Sequence, residues 1–330
     1  MESDTLDALD RRIIHALQLD GRAPFSRIGD VLGVSDQTVA RRYRRLRSSG
    51  RARVVGSPSP RAFGQNSWLL RLDCTPDAAS GIADALARQP NTSWVSLNSG
   101  GTEVNCVIRT RGPRETETLL LRRLPRTPRV VAVRAHKTLH VFYGGPDSWL
   151  GKVNALTDAE AARLAPPEEG VNPMAPHRVR PADGDDALLA ALAVAGRAGF
   201  ADLAAATGHS ESRVRRRLDD LVRTGAVYFD VDVDNDALGG NEHVRAWLSV
   251  APSHLAAVGE ALARHPEVPF AAAMTGPSNV CASVVCADAE DLYAYLTTRL
   301  GRLEGINSME TTPMIRVIKR EGTLLPHPAR

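Results

Sequence analysis

Hydrophobic positions in the first fifty residues recur at helical spacing, interrupted twice. Leu6, Leu9, Ile13 and Leu17 fall on one face of a helix, with Ile14 beside them. "GRAP" breaks the pattern, and Pro24 suits the start of a second helix. There Ile28, Val31 and Leu32 face inward, and Gly33 ends the segment. Ser35 is a good N-cap for a third helix running to about Ser49, with Val39, Tyr43 and Leu46 turned to the core and Gly50 as its stop. A short strand, "RARVVG", follows. Helix, helix, glycine turn, helix and ribbon predict a winged helix-turn-helix, whose second turn-motif helix enters the major groove of DNA.

The pattern then changes to strands and helices in the order βαββαβ. "SWLLRLDC" is an apolar strand, and Asp77 to Gln89 is helical with Ile82, Ala83 and Leu86 on one face. "TSWVSLNS" and "EVNCVIR" are strands around Gly100-Gly101; "RETETLLLRRL" is a helix and "RVVAVRAHKTLHVFY" a long last strand. This is the ferredoxin-like arrangement. Its helices cover one sheet face, and the other is expected to be apolar and to need cover from a second such sheet, within the chain or from another chain.

The sequence does hold a second such sheet, because the chain repeats itself, and the two could pack on each other or equally on those of a second chain. "GRAPF" (Gly21–Phe25) returns as "GRAGF" (Gly196–Phe200), "LGVSDQTVARR" (Leu32–Arg42) matches "TGHSESRVRRR" (Thr207–Arg217), and "ALARQP" (Ala85–Pro90) returns as "ALARHP" (Ala261–Pro266), all at a shift of about 175 residues. The later strands are "HVRAWLSV", "PFAAAMT", "VCASVVC" and "INSMETTPMIRVIK", with helices around Leu255–Arg264 and Leu292–Leu300. Between the copies "LAPPEEGVNPMAPHRVRPADG" reads as a linker, preceded by a short helix at "LTDAEAARL". The expected class is α+β: a winged helix-turn-helix plus a βαββαβ sandwich, the pair repeated twice. The boundaries drawn are 1–56 and 61–146 for the first copy, 147–182 for the linker, and 183–232 and 237–323 for the second.

Composition adds little. A net charge of +3 over 330 residues does not identify a nucleic-acid binder, so the placement of charge decides. No apolar run is long enough for a membrane span, and "MESDTLDALD" lacks the basic and apolar regions of a signal peptide, so a cytoplasmic location is expected. Cys74, Cys106, Cys281 and Cys286 form no C-x-x-C pair and read as buried thiols, the last two on opposite strand faces. No metal site, cofactor motif or catalytic motif is found. His136 and His140 are expected to share one face of a strand, with a structural or surface role.

Charge is concentrated in "TVARRYRRLRSSG", which holds arginines and no acid. Gln37, Thr38 and Arg41 lie near the start of the third helix and face outward, so they are candidate base readers; glutamine pairs with adenine and arginine with guanine. Arg44, Arg45, Arg47, Arg51 and Arg53 are candidate phosphate contacts, and Arg42 lies nearer the core side. In the echo, "RVRRRLDDLVRTG", the core positions persist as Val214, Leu218 and Leu221, but Arg44 and Arg45 become Asp219 and Asp220. Carboxylates facing phosphates oppose binding. The ribbon becomes the acidic "AVYFDVDVD". The first helical unit is therefore the expected DNA reader and the second a degenerate copy.

With "LDRRIIHALQLDGR", "LGVS" and "RRLRSSG" in place, the chain resembles the Lrp/AsnC (feast/famine) family of bacterial transcription regulators, once per half. The resemblance implies double-stranded DNA as partner, a dimerising effector-binding domain, homo-oligomers, and an effector that is an amino acid or related metabolite. Family members carry one copy of each module and a G-x-x-D turn in the effector region. Here the turns are "SGGTEVN" and "TGPSNVC", making Gly100, Gly101, Thr102, Glu103, Gly276, Ser278 and Asn279 candidate effector contacts, or plain hairpin turns; Glu103 keeps the acid and Asn279 loses it. Two other functions fit the architecture: a siroheme-decarboxylase-like enzyme, against which the arginine-rich helix argues, and a non-specific architectural DNA-binding protein.

Overall fold

The computed structural model describes residues 6–124, 127–144, 155–165, 177–233, 240–320 and 323–324. The first copy comprises α1 (Ala8–Leu19), α2 (Phe25–Leu32), α3 (Asp36–Ser48) and β1 (Ala52–Pro58), then β2 (Asn66–Cys74), α4 (Ala79–Ala87), β3 (Thr92–Asn98), β4 (Glu103–Thr110), α5 (Gly112–Glu117) and β5 (Val130–Tyr143). A short α6 (Asp158–Leu164) precedes the second copy. That copy comprises α7 (Asp185–Val194), α8 (Phe200–Thr207), α9 (Glu211–Arg223) and β6 (Val227–Val233), then β7 (Glu242–Val250), α10 (Leu255–Arg264), β8 (Phe270–Met274), β9 (Val280–Cys286), α11 (Ala289–Ala294) and β10 (Ile306–Arg320). The expected α+β class, with both modules repeated, is what the chain adopts.

The two compact units do not follow the two copies. One unit is Met1–Phe63 with Gly145–Gly239, the other Gly64–Gly144 with Gly240–Arg330, so like modules pair across the repeat.

In the helical unit the first core gathers Ile13, Ile14, Leu17, Ile28, Val39 and Leu46, all at most 1% exposed. The second gathers Leu188, Leu192, Leu203, Val214, Leu218 and Leu221. The first core, and Val214, Leu218 and Leu221 of the second, are apolar stripes that the helical spacing marks. The ribbons are not independent wings: β1 and β6 pair antiparallel with each other, from Ala52 opposite Val233 to Pro58 opposite Val227. A two-stranded ribbon is marginal alone; here Val54, Val231 and Val233 sink into the first core and Val227 into the second. Within the span read as a linker, residues 166–176 lie outside the described residues, but α6 packs on the first helical module. Leu156 and Leu164 join its core, Thr157 and Glu160 form a capping box, and the backbone amides of Ala155 and Leu156 each donate to His15 Nδ1 at 3.2 Å.

In the sandwich unit the strand order is β10-β3-β4-β2-β5-β8-β9-β7, and β10 also pairs β7, which closes the ring. The long strands close it. β5 pairs with β2 over Val130–Lys137 and with β8 over Thr138–Tyr143, while β10 pairs with β7 over Ile306–Pro313 and with β3 over Met314–Lys319. Helices cover the outside over two apolar cores, around Leu70, Leu72 and Ile108 and around Leu248, Leu262 and Val284.

Two expectations are corrected here. The face between the sheets is not apolar. A small cluster of Leu69, Trp247, Met274 and Cys281 sits among the buried polar side chains Arg71, Glu103, Asn105, His136 and Arg245. Arg71 lies 4.4 Å from the Trp247 ring centre and donates to Glu103 (2.6 Å) and Glu310 (2.6 and 2.9 Å). Burial opposes its charge, and the two carboxylates more than offset this, raising its pKa above the ordinary arginine value. The two histidines do not share a face either: a register shift between Thr138 and His140 breaks the alternation, leaving His136 buried and His140 exposed. The four cysteines are free and buried, with Cys281 between the sheets and Cys286 in a helix-side core, so their opposite facing holds.

Candidate nucleic-acid interface

The recognition segment is set by its turn. Gly33 ends α2 at φ +71°, and nothing lies within 4 Å of where a side chain would start, so backbone conformation alone asks for glycine. Ser35 Oγ caps α3 by accepting from the Thr38 amide at 3.2 Å. Val39, Tyr43 and Leu46 are buried, and the Tyr43 hydroxyl accepts from the Val54 amide at 3.1 Å, tying α3 to β1. The opposite face is then fixed. Gln37, Arg41, Arg44 and Arg47 are exposed on it, and none of these three arginines makes an ion pair among the described residues. Thr38 is half-buried, and its hydroxyl lies 2.9 Å from that of Ser35.

Two of the expected phosphate contacts are engaged by carboxylates of the protein itself. Arg45 turns toward α1 and bonds Asp10 at 2.5 Å, a carboxylate whose side chain is 2% exposed. Arg53 is held by Asp232 through two bonds of 2.9 and 2.8 Å, because the strand pairing sets these residues directly opposite. The acidic second ribbon is thus the electrostatic partner of the first. Arg42, on the core side as expected, pairs with Asp7 and with Asp10 (3.0 Å). Burial would raise the Asp7 pKa, but the Arg42 hydrogen bond and backbone amides hold it below the usual range. Arg51 is half-buried.

In the second copy Arg217 takes the place of Arg42 and bonds Asp185 at 2.7 and 2.9 Å. Asp220, where Arg45 stands in the first copy, takes Arg217 (3.2 Å) and Arg223 (2.7 Å). So Asp220 compensates neighbouring arginines, while Asp219 stays exposed. Along the outer face Arg41, Arg44 and Arg47 become Arg216, Asp219 and Val222.

One pair of arginines that joins the two helical modules escaped the sequence reading although the motif carrying them was seen. Arg22 donates to the carbonyls of Gly196 (2.6 Å) and Ala198 (3.0 Å), and Arg197 donates to those of Gly21 (2.6 Å) and Ala23 (2.8 Å). Arg197 lies 4.3 Å from the Phe25 ring centre and Arg22 lies 5.3 Å from that of Phe200. Burial lowers the pKa of both. The glycine before each permits the approach: a Cβ on Gly21 would meet Phe229 at 2.7 Å and one on Gly196 the Val55 carbonyl carbon at 2.8 Å. "GRAPF" and "GRAGF" are therefore a reciprocal clamp between the helical modules. The signal was the retention of Gly-Arg in both copies while the reading positions diverged.

At the two glycine turns of the sandwich, Gly100, Gly101 and Gly276 have φ of +67°, +89° and +111°. The Thr102 hydroxyl donates to the Ser99 carbonyl at 2.9 Å. Glu103 is only 5% exposed and held by Arg71, and Asn279 closes two 2.8 Å bonds with the Val250 backbone, so both side chains are engaged within the protein. Ser278 is half-buried.

The AsnC-type helix-turn-helix profile matches residues 6–47 and 183–222, and the Lrp/AsnC ligand binding domain profile matches residues 244–324. The HTH-type transcriptional regulator Rv2324 of Mycobacterium tuberculosis is 32% identical over 143 residues, which is 42% of this chain and 95% of that protein. The chain belongs to the Lrp/AsnC family. A second relative of this Lrp/AsnC chain, HTH-type transcriptional regulator FL11 of Pyrococcus horikoshii, is 29% identical over 118 residues, covering 35% of this chain and 78% of its own. Each spans about one copy. The siroheme decarboxylase NirDL shares the fold over both, with TM-score 0.62 across 95% of this chain and 93% of that one, at 13% identity.

Proposed function

We propose that this Lrp/AsnC protein is a sequence-specific DNA-binding transcription regulator whose first helix-turn-helix does the reading. The observation that carries the proposal is the row Arg41, Arg44 and Arg47, exposed and without ion pairs among the described residues, on the second helix of a capped, glycine-turned motif. Gln37 and Arg41 read base edges; Arg44 and Arg47 hold phosphates. Thr38 contributes through its methyl or by releasing its hydroxyl from Ser35. The match of residues 244–324 to a ligand binding domain supports regulation by a small-molecule effector of the amino-acid class. The paired modules also bear on assembly. One chain supplies both halves of each unit, so the first level of association, which a one-copy regulator reaches by dimerising, is met within the chain; further oligomers form from these chains. No helix among the described residues is long and apolar enough to cross a membrane.

Selection of duplexes from a random pool tests the reading. The wild-type chain is expected to enrich a defined motif, and Arg41→Ala with Arg44→Ala to lose it. Enrichment without sequence preference would favour an architectural role. The second reading is a siroheme-decarboxylase-like enzyme, favoured by the shared tandem fold. Tetrapyrrole absorbance in the purified protein, with no enriched motif, would replace the first reading by the second.

A further inference from the structure

We infer that one chain reads an asymmetric DNA site, base-specific over one half and held only through phosphates over the other. This rests on the proposed DNA reading.

The two recognition helices belong to one compact unit, fixed by the β1–β6 ladder and the reciprocal Arg22 and Arg197 clamps. The two helices therefore move as parts of one unit when α3 docks in a groove. In a symmetric dimer two equal helices impose a palindromic operator. Here they are unequal on the face that matters. Gln37 and Thr38 correspond to Ser212 and Arg213, removing the amide that pairs with adenine. Arg216 is retained, exposed and without an ion pair among the described residues, and Arg213 is exposed, with Asp183 no nearer than 4.0 Å. Further along the helix Asp219 and Val222 are exposed where the first copy has arginines. Arg215 is taken up by the Phe200 ring, 3.9 Å from its centre. The face of α9 thus keeps two cations near its start, at the positions of Thr38 and Arg41, but lacks the glutamine amide before them and the arginines beyond that would fix the helix's register against base edges, so these cations meet phosphates only.

The test uses the full-length chain and its selected site, on complexes with one chain per duplex. Scrambling the half under α3 should weaken binding about 100-fold or more, from the loss of more than one base-reading pair. Scrambling the half under α9 should change affinity less than threefold, yet cutting that half away should weaken binding and lower the salt slope by about two, near 0.9 per phosphate. Arg213→Ala with Arg216→Ala should reproduce the lower slope on the uncut site and leave the selected motif unchanged. A palindromic motif at one chain per duplex overturns the inference and leaves the DNA reading intact, as does a cut far half without effect. A pool without any enriched motif overturns both.

Discussion

Replacing Arg197 by alanine should loosen the pairing of the two helical modules. Its guanidinium donates to two backbone carbonyls of the other copy, at 2.6 and 2.8 Å, and stacks 4.3 Å from the Phe25 ring centre. Hydrogen bonds from a charged donor contribute roughly 1.5–3 kcal/mol each, and a desolvated cation–π contact about 1 kcal/mol more. Alanine also removes a charge whose burial is itself unfavourable, which offsets part of that sum. The net expectation is about 3 kcal/mol. For a unit of this size each kcal/mol moves the melting temperature by roughly 2–4 °C, so calorimetry should show a fall of about 10 °C in the transition of the helical unit. Amide exchange along β1 and β6 should rise with it. Arg197→Lys should recover only part of the loss, because a point ammonium does not span two carbonyls as the planar fork does. Arg223→Ala, which breaks an exposed pair with Asp220, is the control and should shift melting little. A fall below 2 °C for Arg197→Ala would refute the clamp.

Three further outcomes are expected. Gly81→Ala on α4 has open space around it and should stabilise by up to about 1 kcal/mol from helix propensity, whereas Gly259→Ala on α10 would put a methyl 2.2 Å from the Phe142 ring and should destabilise by about 1–3 kcal/mol; urea midpoints moving the same way would contradict the packing. Asp185 has a depressed pKa: burial would raise it, but bonds from Arg217 and the Ala182 amide more than reverse this. Its contribution is therefore full above the unfolded carboxylate value of about 3.9 and lost as pH falls through the lower folded value; urea titrations should show the gap between wild type and Arg217→Gln closing on acidification, and a widening gap would reverse the sign. Burial pushes the thiols of Cys74, Cys281 and Cys286 up to about 11 and that of Cys106 higher still, so a thiol reagent at pH 8 should label none until urea is added.

The helices and strands were legible because each buries a regular stripe, as Ile13, Leu17, Val39 and Leu46 do, and the repeat was legible from its motifs. Which copy pairs with which was not. The antiparallel ladder between "RARVV" and "VYFDVDV" depends on contacts between residues some 180 positions apart, and neither ribbon encodes its partner locally. The fate of individual arginines followed from that: Arg53 could be assigned to Asp232, and Arg45 to Asp10, only once the strand register and the α1–α3 packing were known. The outer row of Arg41, Arg44 and Arg47 needed helical periodicity alone, and so it could be drawn from sequence. The polar layer between the sheets was hidden because single polar residues such as Arg71 and Asn105, alternating with apolar ones, read as solvent-facing until the second sheet covers them.

The central claim is that the first module, and not the second, reads DNA. Binding of Arg41→Ala and Arg216→Ala to the same selected operator, at fixed salt, tests it most directly. The loss of a base-reading arginine should weaken Arg41→Ala about 10- to 100-fold and relax selectivity at one base position, while Arg216→Ala should lose no more than about fivefold, equally on all sequences. Equal losses with relaxed selectivity in both variants would contradict it.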